Sequence, residues 1–134
     1  MKIVLDTNVV ISGIFFTGPP FEILNAWQQG KVNIVMSPDI LDEYYWVSDE
    51  LQERFPEIDA EPLLSLISSN CEMIQNTYLS SPVCEDPDDD KFIACAVAGN
   101  AQCIVSGDKH LLNVGTYEGI SMVNPSTFVK KYLK

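Results

Sequence analysis

Positive charge is scarce in this chain. Its 134 residues include 8 Lys and Arg against 19 Asp and Glu, a formal net charge of -11. Phosphate contacts need cations, so the overall balance argues against nucleic-acid binding through a basic face and suggests a basic partner surface. Histidine is scarcer still: His110 stands alone. Cys71, Cys84, Cys95 and Cys103 form no C-x-x-C pair, so neither a structural zinc nor a disulfide framework is expected. Cys95 and Cys103 lie in apolar stretches and are expected as small core residues. The chain has no G-x-x-x-x-G-K-[ST] loop and no G-x-G-x-x-G turn, and no Ser/His/Asp or Cys/His set assembles around its one imidazole. No apolar run is long enough to span a bilayer. The first apolar run stops at Asp6, where a secretory signal would continue. A cytoplasmic protein without membrane association is expected.

What is present is a core. The apolar fraction is 46%, too high for disorder, and the length suits one domain over residues 1–134. Short unalternating apolar runs at 2–5, 32–36, 102–105 and 120–123 read as buried strands, with a further short one at 71–75. Between them the spacing predicts helices at about 20–29, 38–54 and from 88–90 to Gly99, with shorter ones at 109–113 and from Ser126 or Pro125 onward. Asp59 is expected to cap another helix, with Leu63, Leu64 and Ile67 inward. Residues 7–19 read as a turn-rich passage and 77–89 as a loop. Strands alternating with helices predict an α/β fold with a mainly parallel sheet. Ligands of such folds collect at the carboxyl ends of the strands.

Four carboxylates stand at such junctions. Asp6 ends the first strand, Glu43 sits in an apolar helix, Asp90 opens a helix and Asp108 follows the run CIVSG. Grouping carboxylates is costly because like charges raise each other's pKa, so a fold that gathers several usually holds a divalent cation. Each also has a plainer reading: a turn carboxylate for Asp6, a helix N-cap for Asp108. For Glu43, which shares a helix face with Asp39, the charge pattern alone favours a solvated helix side. In the run Glu85 to Asp90 most acids suit a solvated loop and a helix N-terminus. An EF-hand is excluded there, since Lys91 stands where glycine is needed and Val97 where glutamate is needed. Asp90 stands out because Ile93 and Ala96 place it near the face that packs on the sheet. His110 reads as a surface or cap residue, with general acid–base work as its functional alternative.

The ordered segments LDTNV, LDEYY, DPDDDKFIACA and IVSGDKHLL span essentially the whole chain and together resemble the PIN domain, closest to the VapC-related toxin components of toxin–antitoxin pairs. The resemblance implies a Rossmann-like three-layer α/β/α sandwich with a mainly parallel sheet of about five strands. It implies an Mg2+- or Mn2+-dependent endoribonuclease, with RNA as substrate, a protein antitoxin as partner and a homodimeric state. The family's acidic quartet falls on Asp6, Glu43, Asp90 and Asp108. Asn8 and Ser106 match its accompanying polar positions. Lys91 and Lys109 border the carboxylates as candidate phosphate contacts, with an ordinary solvated lysine as the favoured reading of each. By this reading Asp6 and Asp90 ligate metal, Glu43 ligates or orients water, and Asp108 completes the site; hard carboxylate oxygens suit Mg2+ or Mn2+. One departure is His110, where the family carries a further acidic residue. Tyr44, Tyr45 and Trp46 are candidates for an interface, with core packing as the default.

Two other classes compete. A PIN-fold binding module with weak or no nuclease activity would keep the fold, but the four acids favour the enzyme. A phosphatase of the haloacid-dehalogenase type needs D-x-D after its first strand, and here the residues are Asp6, Thr7 and Asn8.

Overall fold

In the computed structural model, which describes residues 1–75 and 77–134, the apolar runs become a sheet ordered β3-β2-β1-β4-β6-β5. Its strands are β1 (Lys2–Leu5), β2 (Asn33–Met36), β3 (Glu72–Met73), β4 (Cys103–Val105), β5 (Thr116–Tyr117) and β6 (Ile120–Val123). All neighbours pair in parallel except β5 with β6. Ile3, Val4, Leu5, Ile34, Val35, Met36, Ile104 and Val105 are fully buried, as expected for strands covered on both faces by helices. The helices are α1 (Thr7–Phe15), α2 (Pro19–Gln28), α3 (Pro38–Arg54), α4 (Glu61–Ser69), α5 (Asp90–Ala98), α6 (Lys109–Leu112) and α7 (Pro125–Phe128). A single tight turn, Pro87–Asp89, leads into α5, and a wider helical turn over Val129–Leu133 extends α7.

This is the expected α/β architecture with two differences. Among the described residues the sheet has six strands, one more than the runs read from sequence. The extra one, β5, is made by a two-residue hairpin in which Glu118 (φ 49) and Gly119 (φ 82) both take left-handed backbone. Paired positive φ values match the twist of a tight hairpin, but Glu-Gly is a weaker sequence signal for it than Asn-Gly. The second difference is α1, which replaces the turn-rich passage expected over 7–19. Its β-branched residues have modest helix propensity, yet Val9, Val10, Ile11 and Phe15 are all buried, and that burial outweighs propensity. Gly18 (φ 126) then turns the chain, and Pro19 opens α2.

Gly13 shows why α1 and α2 can meet. A Cβ there would lie 2.9 Å from the Pro20 carbonyl oxygen and 2.7 Å from Leu24 Cδ1. Backbone cannot yield as a side-chain tip can, so Gly13→Ala is expected to cost about 1–3 kcal/mol by overpacking. A lowered urea midpoint with an unchanged slope would show it; an unchanged midpoint would mean that the helices separate freely.

Tyr44 is wholly core, and its hydroxyl donates to the Leu5 carbonyl at 2.6 Å, tying α3 to the end of β1. It is therefore not available for an interface, whereas neighbouring Trp46 is 64% exposed. No single helix among the described residues is long and apolar enough to cross a membrane.

The sheet order sets where a site can form. From β1 the chain passes to β2 on one side and later returns to β4 on the other. The crevice beyond the carboxyl ends of β1 and β4 is thus the point where the winding reverses, the usual ligand position in open parallel sheets. Asp6 follows β1 there, and Ser106 and Asp108 follow β4.

Candidate metal centre

Asp6 is 5% exposed and sits on the last backbone link between β1 and β4, its N–H donating to the Val105 carbonyl at 3.0 Å. Its carboxylate is held at both ends. Oδ1 accepts the Thr7 N–H at 2.7 Å, capping α1, and Oδ2 accepts the Ser106 hydroxyl at 2.6 Å. Ser106 Oγ in turn accepts the Asp108 N–H at 2.9 Å, so one hydroxyl joins the loop after β4 to the end of β1. Burial pushes the Asp6 carboxyl pKa upward, with the charges of Asp108 and Glu43 adding and the Ser106 and Thr7 bonds opposing. Two of the other expected acids, Asp108 and Glu43, therefore lie close enough to act on Asp6.

Glu43 projects from α3 toward this point. It accepts a hydrogen bond from the Thr7 hydroxyl and pairs with Lys91 of α5. Lys91 is thus an internal counterion to Glu43, not a free phosphate contact. Asn8 is exposed and stands on the outer side of α1, beside Ile11, Ser12 and Leu51. Thr7, not Asn8, makes the polar link to the acids.

Asp108 caps α6, its Oδ1 accepting the His110 N–H at 2.8 Å. The His110 ring folds back, placing Nδ1 3.4 Å from Asp108 Oδ1 and 3.6 Å from Asp89 Oδ2. Asp89 is the acid that sequence reasoning passed over. It ends the tight turn before α5, is 8% exposed, and its Oδ2 is buried with no hydrogen-bond partner. Asp90, by contrast, is turned to the preceding loop, accepting the Cys84 N–H at 2.7 Å and the Val83 N–H at 3.3 Å. In a run of three aspartates, helical phase alone does not tell which one faces the sheet edge. The tight turn over Pro87–Asp89 shifts that phase, and Pro87 is the signal that pointed to it.

The residues present fit a divalent cation. A buried, unpartnered carboxylate oxygen is costly unless the group is protonated or faces a positive charge. Asp108, Asp6 and Asp86 act electrostatically on Asp89, and Glu43 on Asp6, so hard oxygen donors of the kind that suits Mg2+ or Mn2+ gather at this edge of the sheet. Without an ion, protonation is the other relief. Burial, then Asp108, pushes the Asp89 carboxyl up to about 7. The folded chain then keeps a proton that the unfolded chain has released above about pH 4. This contribution to stability is full below about pH 4 and is lost as pH rises through 7. In EDTA, Asp89→Asn should therefore gain stability relative to the parent between pH 5 and 8, read by thermal melts. Parallel profiles would mean that Asp89 is not charged against its neighbours.

The chain is similar to known proteins in sequence and in fold. An uncharacterized protein of Methanocaldococcus jannaschii is 29% identical over 145 aligned residues, covering all of this chain and 93% of that protein. Among solved structures, a chain from the crystal structure of VapBC2 from Rickettsia felis, bound to a DNA fragment from their promoter, superposes with a TM-score of 0.52 at 16% identity, covering 92% of this chain and 98% of that one. At that identity the likeness establishes the fold. The PIN domain family model matches residues 2–110, from the start of β1 through Asp108 and His110, and on that match the chain belongs to the PIN domain family.

Proposed function

We propose that this chain is a metal-dependent endoribonuclease that hydrolyses RNA phosphodiester bonds and serves as the toxin of a toxin–antitoxin pair, with a protein antitoxin and a homodimeric assembly as its partners. The observation that carries the reading is the buried Asp89 Oδ2 without a hydrogen-bond partner, on a carboxyl that Asp108, Asp6 and Asp86 all act on beside the switch point of the sheet. Membership of the PIN domain family and the fold likeness to a VapBC2 chain support it.

Asp6, Asp89 and Asp108 are the proposed ligands, and Glu43 joins them or positions water. The chemistry a bound divalent ion supplies is a lowered pKa for water and relief of the charge that builds on the phosphoryl oxygens. The protein's own contribution is positioning. Ser106 and the Thr7 amide fix both oxygens of Asp6, so that the carboxylate does not reorganise when substrate arrives. Lys91 restrains Glu43 and offsets one negative charge. Asp90 holds the loop at Val83 and Cys84 against the site. Lys109, exposed beside Asp108, and Gly107, whose α-carbon faces open space, leave room for an approaching phosphate backbone.

The test is incubation of the purified chain with mixed RNA in Mg2+, Mn2+ or EDTA. Cleavage that appears with the metal and stops with EDTA is expected. RNA left intact under all three conditions, with RNA still retained by the protein, would establish the binding module instead.

A further inference from the structure

Beyond the acids around Asp6, a nitrogen donor enters the same edge. A ring nitrogen of His110, an Asp89 oxygen and an Asp86 oxygen all lie within 4.8 Å of one another. The Nδ1 distances of 3.6 Å to Asp89 and 3.4 Å to Asp108 exceed the usual hydrogen-bond length. They are close to what two ligands of one ion show: donors at roughly 2.0–2.1 Å from a metal sit about 3.0–3.4 Å apart. Asp89 Oδ2, the oxygen 3.6 Å from His110 Nδ1, is buried without a hydrogen-bond partner, and a positive ligand between the two would satisfy it. Asp86 is kept in place by its own turn, its Oδ1 accepting the Asp88 N–H at 3.0 Å. The His110 side chain is 41% exposed, which leaves the group open to ions from solvent.

We propose that Asp86, Asp89 and His110, with Asp108 at its border, form a mixed nitrogen–oxygen subsite that takes a first-row transition ion such as Mn2+ or Zn2+ in preference to Mg2+. The inference deepens the proposed metal enzyme and rests on it. Mg2+ favours oxygen donors and gives up its waters reluctantly, whereas imidazole suits transition ions. The neutral ring would carry its proton on Nε2 and present the Nδ1 lone pair to the ion. The position where the family carries an acid would then be the one that sets metal preference in this chain.

One histidine makes the test direct. The full chain, labelled with 15N-histidine, gives a single pair of ring nitrogen signals. Titration with Zn2+ should move the Nδ1 signal by the large shift of direct ligation while Nε2 keeps its proton, and Mg2+, held by the neighbouring carboxylates alone, should move it far less. By calorimetry, His110→Gln should weaken Mn2+ binding about 10-fold or more and change Mg2+ binding less than about 2-fold. Asp86→Asn, which keeps the ring, should weaken Mn2+ in the same sense. Ring signals blind to Zn2+, together with unchanged Mn2+ affinity in His110→Gln, would overturn the subsite and leave an all-oxygen metal enzyme standing. An imidazolium that only pairs with the carboxylates gives that same result. If no divalent ion binds the parent chain at all, the subsite and the enzyme reading fall together.

Discussion

Asp6→Asn is expected to fold normally and to lose metal-dependent RNA cleavage by about 1,000-fold or more. A metal's share of transition-state stabilisation is several kcal/mol, and about 4 kcal/mol corresponds to that factor. The substitution keeps shape. The asparagine oxygen still accepts the Thr7 N–H, but its amide places a donor where Asp6 accepts the Ser106 hydroxyl, so that hydroxyl must turn. The packing cost is small because the isosteric side chain fills the same volume. The buried carboxylate is itself penalised, by burial first and by Asp108 and Glu43 next, so removing its charge should leave the melting temperature equal or higher at pH 8. Loss of activity with gain of stability is the signature of a site that gathers like charges for function. Equal cleavage by the variant would mean that the acids serve structure alone.

The second large effect separates two adjacent residues. Asp89→Asn should abolish divalent-ion binding at the site and reduce cleavage to a similar extent, while folding as well as the parent or better. Asp90→Asn should do something different. It weakens a charged acceptor for the Cys84 and Val83 amides, and hydrogen bonds to charged groups contribute about 1.5–3 kcal/mol. The expected result is a lowered denaturation midpoint, with ion affinity in the folded protein reduced far less than in Asp89→Asn. Urea titrations beside calorimetry with Mn2+ distinguish the two. The reverse pattern would restore Asp90 as the ligand and make Asp89 a buried turn residue.

These neighbouring aspartates show what could be read from sequence and what could not. Unalternating apolar runs identified the strands of the parallel sheet, and the stop of the first run placed Asp6 at its carboxyl edge. The sheet order then accounts for why Ser106, 100 positions away, reaches the same carboxylate. Residues 7–15 were not legible as a helix because their β-branched side chains weaken the local signal. Their burial against α2, which approaches closely at Gly13, and against α3 decides the helix. The choice of Asp89 over Asp90 depends on one tight turn after Pro87, a rotation that spacing rules do not resolve. Glu43 was ambiguous for a similar reason: its helix is charged on several sides, and only contacts from Thr7 and Lys91 single it out over Asp39.

His110 carries the same lesson in chemistry. A lone histidine in a sequence has no visible partner, and its neighbours two residues before and 21 residues before become partners only through the fold. Here α6 is short, and the Asp108 cap bends the ring toward Asp89.

The central claim is that the acids at the switch point hold a divalent ion. Crystals of the full chain soaked in Mn2+, with diffraction recorded for anomalous scattering, test it most directly. An anomalous peak in contact with Asp6, Asp89 and Asp108, lost in crystals of Asp89→Asn, is the predicted result. Mn2+ density confined to other surface carboxylates, with Asp89 Oδ2 still unpartnered, would contradict it.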